Sequence, residues 1–154
     1  MLLISLILAG CTILIHEESE VGSEKEFEKN GITIVLTDKF REQKSQMGFD
    51  PYYVSNFCGV MVLKEDFSLE EGLENESLEE YIRNVIKNNG HTDIEPQHKD
   101  DLWFYEKNEG AQTYFAYCYK GSEAFYFVQF GCMTADIPVM EEIIHEWAKS
   151  VEVE

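Results

Sequence analysis

The chain has 154 residues, with 30 acidic side chains against 12 basic ones, which gives a net charge of −18 at pH 7. This charge argues against nucleic-acid binding, which needs Lys and Arg to neutralise phosphates, and against electrostatic attachment to anionic lipid. The length corresponds to about one domain, and the hydrophobic share of 44% is ordinary for a globular protein. We therefore expect one folded domain whose acidic surface faces water, cations or a basic partner.

The N-terminal segment is almost wholly apolar over residues 1–9 and runs into LAGC, which ends at Cys11. This pattern resembles a bacterial lipobox, in which the cysteine thiol receives a diacylglyceryl group before the signal peptide is cleaved. We predict that residues 1–11 are a signal peptide ending in a lipobox and that Cys11 is the lipidation site. The protein is then expected on the outer face of a bacterial cytoplasmic membrane, attached to the membrane through lipid on Cys11.

Two other interpretations of this segment stay open. Signal peptides normally begin with positive charge, and no Lys or Arg precedes the apolar run, so we expect the true start to lie upstream. An uncleaved anchor over residues 2–15 is the second interpretation, although a bilayer span needs about 20 residues. The third is a buried N-terminal strand of a cytoplasmic protein.

Residues 12–30 are predicted to be an acidic tether, because a segment so rich in Glu and poor in apolar residues cannot offset the entropy lost on ordering. A single domain is expected over residues 31–154. Its first strands are predicted at 32–36, 51–55 and 58–64, with a polar loop containing one helical turn over 37–50. An acidic connection follows at 67–75.

A helix is predicted to begin after Ser77, because Ser77 and Glu80 form the sequence signature of a capping box. Asn89 and Gly90 end the helix. Its apolar residues recur at helical spacing and form one continuous stripe that covers a face of the sheet, namely Leu78, Tyr81, Ile82, Val85 and Ile86.

The polar segment 91–101 follows, with a weak strand expected near Ile94. It contains six side chains that can ligate metals, namely His91, Asp93, Glu95, His98, Asp100 and Asp101. Imidazole and carboxylate together can hold zinc, but this spacing matches no standard ligand pattern. We therefore predict no metal site and no bound cofactor.

Residues 102–131 are predicted to form three consecutive antiparallel strands at 102–107, 112–119 and 124–131. Apolar residues at both odd and even positions of the last two strands predict central strands covered on both faces. A closing helix is predicted with Asp136 as its cap and Pro138 in its first turn. His145 is expected on the exposed polar face of this helix. Its apolar stripe comprises Met140, Ile143, Ile144, Trp147, Ala148 and Val151.

Lipidation of Cys11 leaves three thiols, Cys58, Cys118 and Cys132, all in or beside apolar strands, where a buried free thiol is expected. If the turn is Gly121-Ser122, Cys118 faces Phe125 and lies about 23 Å from Cys132 along the strand. No bond is therefore expected between Cys118 and Cys132. Cys58 can meet either of them only if its strand is adjacent.

Five stretches of the sequence resemble small lipoproteins of Gram-positive bacteria with a PsbP-like domain. They are NGITIVLTDKF, VMVLKEDFSLEEG, SLEEYIRNVIKNNG, AYCYKGSEAFYFVQFGC and EWAKSVEV. With LAGC, the resemblance covers residues 8–11 and about 30–154. It implies an α+β fold, an antiparallel sheet of about six to seven strands flanked by two main helices, and surface attachment. It implies no activity, because function on one fold varies.

Catalytic residues are not predicted, since no glycine-rich phosphate loop opens either helix and the cysteines lie in apolar strands. We therefore expect a non-enzymatic binding or interaction domain whose partner is an unknown protein or cell-wall component. The protein is expected to be a monomer. The alternative is a cytoplasmic PsbP-like protein-binding adaptor with no lipid anchor.

Overall fold

The computed structural model describes residues 22–154, which form two antiparallel sheets and two helices. The smaller sheet has the order β1-β2-β10, and the larger sheet has the order β3-β4-β5-β9-β8-β7-β6. The strands are β1 (Glu24–Lys29), β2 (Ile32–Thr37), β3 (Arg41–Glu42), β4 (Tyr52–Val54), β5 (Cys58–Asp66), β6 (Gln97–Lys99), β7 (Leu102–Glu109), β8 (Gln112–Lys120), β9 (Ala124–Met133) and β10 (Glu152–Val153). The helices are α1 (Leu78–Asn88) and α2 (Ile137–Lys149), and short 3-10 turns lie at Phe67–Leu69, Leu73–Asn75 and Thr134–Asp136.

The expected α+β class and antiparallel sheet are confirmed, and β8 and β9 are central strands with both faces largely buried. On one face, alternate residues of β9 such as Tyr126, Val128 and Phe130 pack against α2 and β2. On the other face, Phe125 and Phe127 pack against α1. The larger sheet is therefore the middle layer, with α1 on one side and α2 plus the smaller sheet on the other.

Helix α1 begins as its sequence predicts. The Ser77 hydroxyl accepts a hydrogen bond from the Glu80 backbone N–H at 3.2 Å, and the Glu80 carboxylate accepts one from the Ser77 N–H at 2.8 Å. Both bonds satisfy N–H groups that a helix start otherwise leaves unpaired. Tyr81, Ile82 and Ile86 of the predicted stripe are buried.

Helix α2 differs from the prediction at its cap. Asp136 makes no side-chain capping bond, because its backbone already has the helical conformation of the preceding 3-10 turn (φ −91°, ψ −8°). A capping side chain instead needs an extended backbone to reach the free N–H groups. Pro138 lies in the first turn, as expected. The buried face includes Trp147, whose ring lies edge-on to Phe40 at 5.3 Å.

The predicted tether ends earlier than residue 30, since Glu24–Lys29 form β1 and pair along their length with β2. Asn30 and Gly31 form the connecting turn, both with positive φ (55° and 81°). Such an Asn-Gly pair favours the tight turn of a hairpin, and it stabilises β1 despite the acidic composition. The Phe27 ring also packs on Tyr53 at 4.8 Å. The ordered domain thus includes at least residues 24–29.

Three smaller predictions are also corrected. Within 37–50, the structure has the short strand β3 and a bridge between Gln46 and Phe49, with no helical turn. The strand expected near Ile94 lies at Gln97–Lys99, where it pairs with β7. The β8–β9 turn is centred on Ser122 and Glu123, so Cys118 faces Phe127. The register differs because Gly121 still pairs with Ala124 through its N–H.

The predicted signal peptide, the lipidation site Cys11 and the first part of the tether lie outside the described residues. Within residues 22–154, neither helix is both long and apolar enough to cross a membrane.

Candidate functional site

A groove of about 670 Å³ lies on the face of the larger sheet that carries α1. Its floor is the sheet itself, one wall is the C-terminal half of α1, and the other wall is the β3–β4 turn. The lining residues come from six segments of the fold and are Met47, Phe49, Met61, Leu63, Glu65, Tyr81, Val85, Asn88, Asn89, His91, Tyr105, Lys107, Glu109, Tyr114, Phe127 and Gln129. We call this feature the α1 groove.

The α1 groove exists because the larger sheet is much wider than the single helix that packs on this face. A sheet of seven strands spaced about 4.8 Å apart is about 29 Å wide, whereas one helix with its side chains is about 10 Å wide. Helix α1 packs mainly over β7 and β8 and reaches only Phe125 and Phe127 of β9, so it leaves part of β5 and the Gln129 end of β9 open on its face. On the opposite face, the smaller sheet packs beside α2 and shares its core.

The floor of the groove combines apolar and acidic surface. Met61, Leu63 and Glu65 alternate along β5 and project from the groove side of the sheet, each partly exposed. The Glu65 carboxylate accepts a hydrogen bond from the Tyr81 hydroxyl at 2.8 Å. Burial raises the pKa of the Tyr81 phenol, and the bond to Glu65 raises it further, so Tyr81 remains a neutral donor. This donor holds the Glu65 carboxylate in a fixed position at the edge of the groove.

The second carboxylate of the groove belongs to Glu109 and lies at the β7 end. Lys107 Nζ lies 3.3 Å from the Glu109 carboxylate, so these two charges largely compensate each other. Among residues 22–154, the Glu65 carboxylate forms no salt bridge. Glu65 therefore contributes an uncompensated negative charge to the groove. Burial raises the pKa of nearby Tyr105 to about 12, which keeps that phenol neutral as well.

Met47 forms the tip of the opposite wall. Its side chain is 94% exposed, the highest value among the large apolar residues of the described chain. Met47 and Gly48 both have positive φ (51° and 87°) in the turn closed by the Gln46–Phe49 bridge. Positive φ is unfavourable for Met and suits Asn or Gly. A flexible apolar side chain is thus exposed at the rim of the groove by a backbone conformation that Met does not favour.

The six metal-ligating candidates of segment 91–101 are not brought together. His91 lines the α1 groove, Glu95 pairs with Arg83 at 3.1 Å, and the His98 ring lies 4.7 Å from Trp103. Asp100 contacts His145. In the part of the chain that the structure describes, no three His, Cys, Asp or Glu side chains cluster as a metal site would require.

The exposed position expected for His145 is wrong, since this side chain is only 3% exposed. Its Nδ1 lies 3.2 Å from the Tyr117 hydroxyl, and its Nε2 lies 3.1 Å from Asp100. The helix face that sequence periodicity leaves polar is covered here by β7 and by the turn at Asp100. The prediction was wrong because the apolar periodicity of a helix sequence describes that helix alone. It carries no information about a turn that packs against the side of the helix.

The three described cysteines are free and buried, as expected. Cys118 lies opposite Phe127, five residues from Cys132 along β9. The strand of Cys58 proves to be adjacent to β9, and Cys58 lies opposite Cys132. Burial raises the pKa of all three thiols, which lowers the share of reactive thiolate in the folded chain.

Sequence reasoning missed the α1 groove. The available signal was Glu65, a charged residue in line with Met61 and Leu63 on one face of a strand, where a fully covered sheet would have apolar side chains. The Met47-Gly48 turn was a second signal, since Met is unusual in a tight hairpin turn.

No protein-family model matches the chain, and no curated protein matches it significantly in sequence. Solved structures do match it. CyanoP, the cyanobacterial PsbP of Synechocystis sp. PCC 6803, has a TM-score of 0.59 at 8% identity over 87% of this chain and 94% of that one. The Ran-binding protein Mog1p of Saccharomyces cerevisiae has a TM-score of 0.55 at 10% identity over 86% and 96%.

A structure from Bacteroides thetaiotaomicron has a TM-score of 0.58 at 11% identity and covers 87% of this chain but 49% of that one. Identities this low show the fold alone. The fold is PsbP-like, as the sequence resemblance implied.

Proposed function

We propose that this protein is a lipid-anchored, extracytoplasmic, non-enzymatic binding domain that takes a segment of a partner protein in the α1 groove. The groove carries the binding part of the proposal. It is an open part of a sheet face, its floor combines apolar side chains with the Glu65 carboxylate, and its polar groups converge from α1, β5 and β7. Such concave, largely apolar sites with a few placed polar groups are typical of ligand binding.

The occupant that fits best is a basic segment carrying apolar side chains. The uncompensated Glu65 carboxylate favours a Lys or Arg, and the net charge of −18 attracts such a segment from a distance. Tyr105 and Tyr114 present aromatic rings to the same space, and rings of this kind attract cations as well as apolar groups. Met47 then closes over the bound segment from the opposite wall.

The anchoring part of the proposal depends on the LAGC sequence that ends at Cys11. A lipid anchor keeps an acidic domain beside a membrane whose anionic headgroups would otherwise repel it. The α1 groove is then available to a basic partner at the membrane or in the cell wall.

A cytoplasmic adaptor without a lipid anchor is the second candidate, favoured by one observation. A similar fold occurs in Mog1p, which is described as a Ran-binding protein. Cell fractionation distinguishes the two candidates, because only the anchored form remains with membranes through a high-salt wash.

The groove is tested with a randomised peptide library selected on the detergent-solubilised full-length chain. We expect the bound peptides to be enriched in Lys or Arg beside aromatic or aliphatic residues. Glu65→Gln is expected to remove the enrichment in basic residues, and Met47→Asn to weaken binding of every selected peptide.

Val139→Asn is the matched control, because Val139 is an exposed apolar residue (45%) on helix α2, across the sheet from the groove. The Val139→Asn variant is expected to bind the selected peptides as tightly as the unaltered chain does. Peptides without basic enrichment, or equal binding by the Glu65→Gln and unaltered chains, would refute the proposed occupant.

A further inference from the structure

Cys58 and Cys132 lie directly opposite each other on β5 and β9. Each is 3% exposed, and both belong to the core on the α2 side of the larger sheet. Residues directly opposite in an antiparallel pair project from the same face of the sheet, so the two thiols are neighbours. They are separated in sequence by the whole of α1, β6, β7 and β8.

The backbone hydrogen bonds identify the type of pair. The Cys58 N–H donates to the Ser55 hydroxyl at 3.1 Å, and the Cys58 carbonyl accepts from the Ser55 N–H at 2.9 Å. Both polar groups of Cys58 therefore point toward β4 and away from β9. Val62 lies four residues further along β5 and shows the same pattern. Its N–H donates to the Pro51 carbonyl, and its carbonyl accepts from the Asp50 N–H.

Cys58 and Cys132 thus form a non-hydrogen-bonded pair of the β5–β9 ladder. Directly opposed residues of this type have Cα atoms about 4.5 Å apart. Disulfides span Cα separations of about 4.4–6.8 Å, so the backbone already holds this pair within bonding range.

We propose that Cys58 and Cys132 are a disulfide-forming pair that joins β5 to β9 when the chain meets a small-molecule or protein disulfide as oxidant. This inference concerns the core under α2 and is independent of the proposed function of the α1 groove. Among the three described cysteines, Cys118 is then left as a single buried thiol.

The reaction is two successive thiol–disulfide exchanges. One protein thiol loses its proton, and its sulfur attacks a sulfur of the external disulfide, forming a mixed disulfide and releasing one thiol of the oxidant. The second protein thiolate then attacks the protein sulfur of the mixed disulfide. The Cys58–Cys132 bond forms, the second thiol of the oxidant leaves, and the oxidant has taken up both electrons and both protons.

Cys132 is the thiol expected to attack first. Burial raises its pKa to about 11, and the pKa of Cys58 is raised further by deeper burial and by the adjacent Cys132. The thiolate is the attacking species, so the thiol that ionises more readily reacts sooner. Because both side chains are buried, the exchange takes place during folding or when the β4–β5 end of the sheet opens locally.

Cys118 does not compete for either partner. It lies opposite Trp103 on β7 and Phe127 on β9. Its neighbours Ala116, Phe125 and Phe127 belong to the core on the α1 side of the sheet. The sheet therefore separates Cys118 from the proposed pair.

The test uses the full-length chain, reduced and then incubated under native conditions with oxidised and reduced glutathione. Free thiols are alkylated in acid, and the protein is digested without reduction. We expect the peptide containing Cys58 joined to the peptide containing Cys132, and Cys118 alkylated. The oxidised chain is expected to unfold at a higher urea concentration than the reduced chain, because the bond constrains the unfolded state.

Cys118→Ser is the matched control and is expected to keep the linked peptides. Cys58→Ser is expected to lose them and to make the urea midpoint insensitive to oxidation. The proposal is overturned if Cys58 and Cys132 are both alkylated after oxidation, if Cys118 is linked to either, or if only mixed disulfides with glutathione form. None of these outcomes depends on Cys11 or the α1 groove, so failure here leaves the proposed function untouched.

Discussion

The hydroxyl group of Tyr117 lies 3.2 Å from Nδ1 of His145 in the buried interface between β8 and α2. Nε2 of His145 lies 3.1 Å from an Asp100 carboxylate oxygen at the surface. The histidine therefore joins the sheet, the helix and the β6–β7 turn. A buried polar pair of this kind stabilises the fold only while both members are present.

Replacing one member of this pair is expected to destabilise the protein. His145→Leu leaves the Tyr117 hydroxyl buried without its partner, and we expect a loss of about 1–3 kcal/mol in the free energy of unfolding. Adding Tyr117→Phe to that variant is expected to recover most of the loss. Urea denaturation followed by circular dichroism measures both, with the exposed His98→Leu as a control. Additive losses in the double variant would contradict the pairing.

Trp147 is expected to be the largest single contributor of α2 to the core. It packs between Phe40 at 5.3 Å and Phe130 at 6.4 Å. Trp147→Ala creates a cavity there and is expected to cost about 3–5 kcal/mol of stability. Val139→Ala on the exposed side of the same helix should change stability by less than about 0.5 kcal/mol. An unchanged urea midpoint for Trp147→Ala would show that the packing is wrong.

Met47 is expected to serve binding at the expense of stability. Met47→Asn places a residue that tolerates positive φ in the turn and is expected to stabilise the chain by roughly 0.5–1 kcal/mol. Met47→Ala removes the same side chain without relieving the backbone, so its stability should not rise. Both should weaken peptide binding in the α1 groove. Thermal unfolding and peptide titration of the two variants separate the backbone effect from the side-chain effect.

Cys11 is expected to be the first residue of the mature protein when the chain carries a complete signal sequence. Residues 1–10 carry no charge, so the mature chain keeps the full −18 and needs lipid to stay attached. A diacylglyceryl group supplies the two acyl chains that stable anchoring requires. Cys11→Ser should therefore release the protein from membranes at high salt. Mass spectrometry that finds an unmodified Cys11, or an intact Met1, argues against the anchor.

The segment 91–101 is expected to bind zinc only weakly. His91 and His98 lie apart, and Glu95 is paired with Arg83. Calorimetric titration of the full-length chain should show no affinity at micromolar zinc or tighter. Micromolar binding that disappears in the His91→Ala, His98→Ala double variant would reverse this expectation.

Local patterns predicted the local elements well. The Ser77–Glu80 capping box and the apolar stripe of α1 each depend on residues spaced three or four positions apart in the sequence. The structure contains both. The both-face burial of β8 and β9 was likewise visible in each strand separately. Asn30-Gly31 was equally local, yet its hairpin was missed because the acidic composition of residues 24–29 outweighed it.

The sequence by itself determined the α+β class, the two helices and the central strands, because each depends on side chains that are neighbours along the chain. The tertiary structure alone decided that β5 lies beside β9, which sets Cys58 against Cys132. It also decided that His145 is buried and that α1 leaves a groove uncovered. These features depend on which distant segments pack together, and periodicity describes only the face that one segment offers, not the partner that covers it.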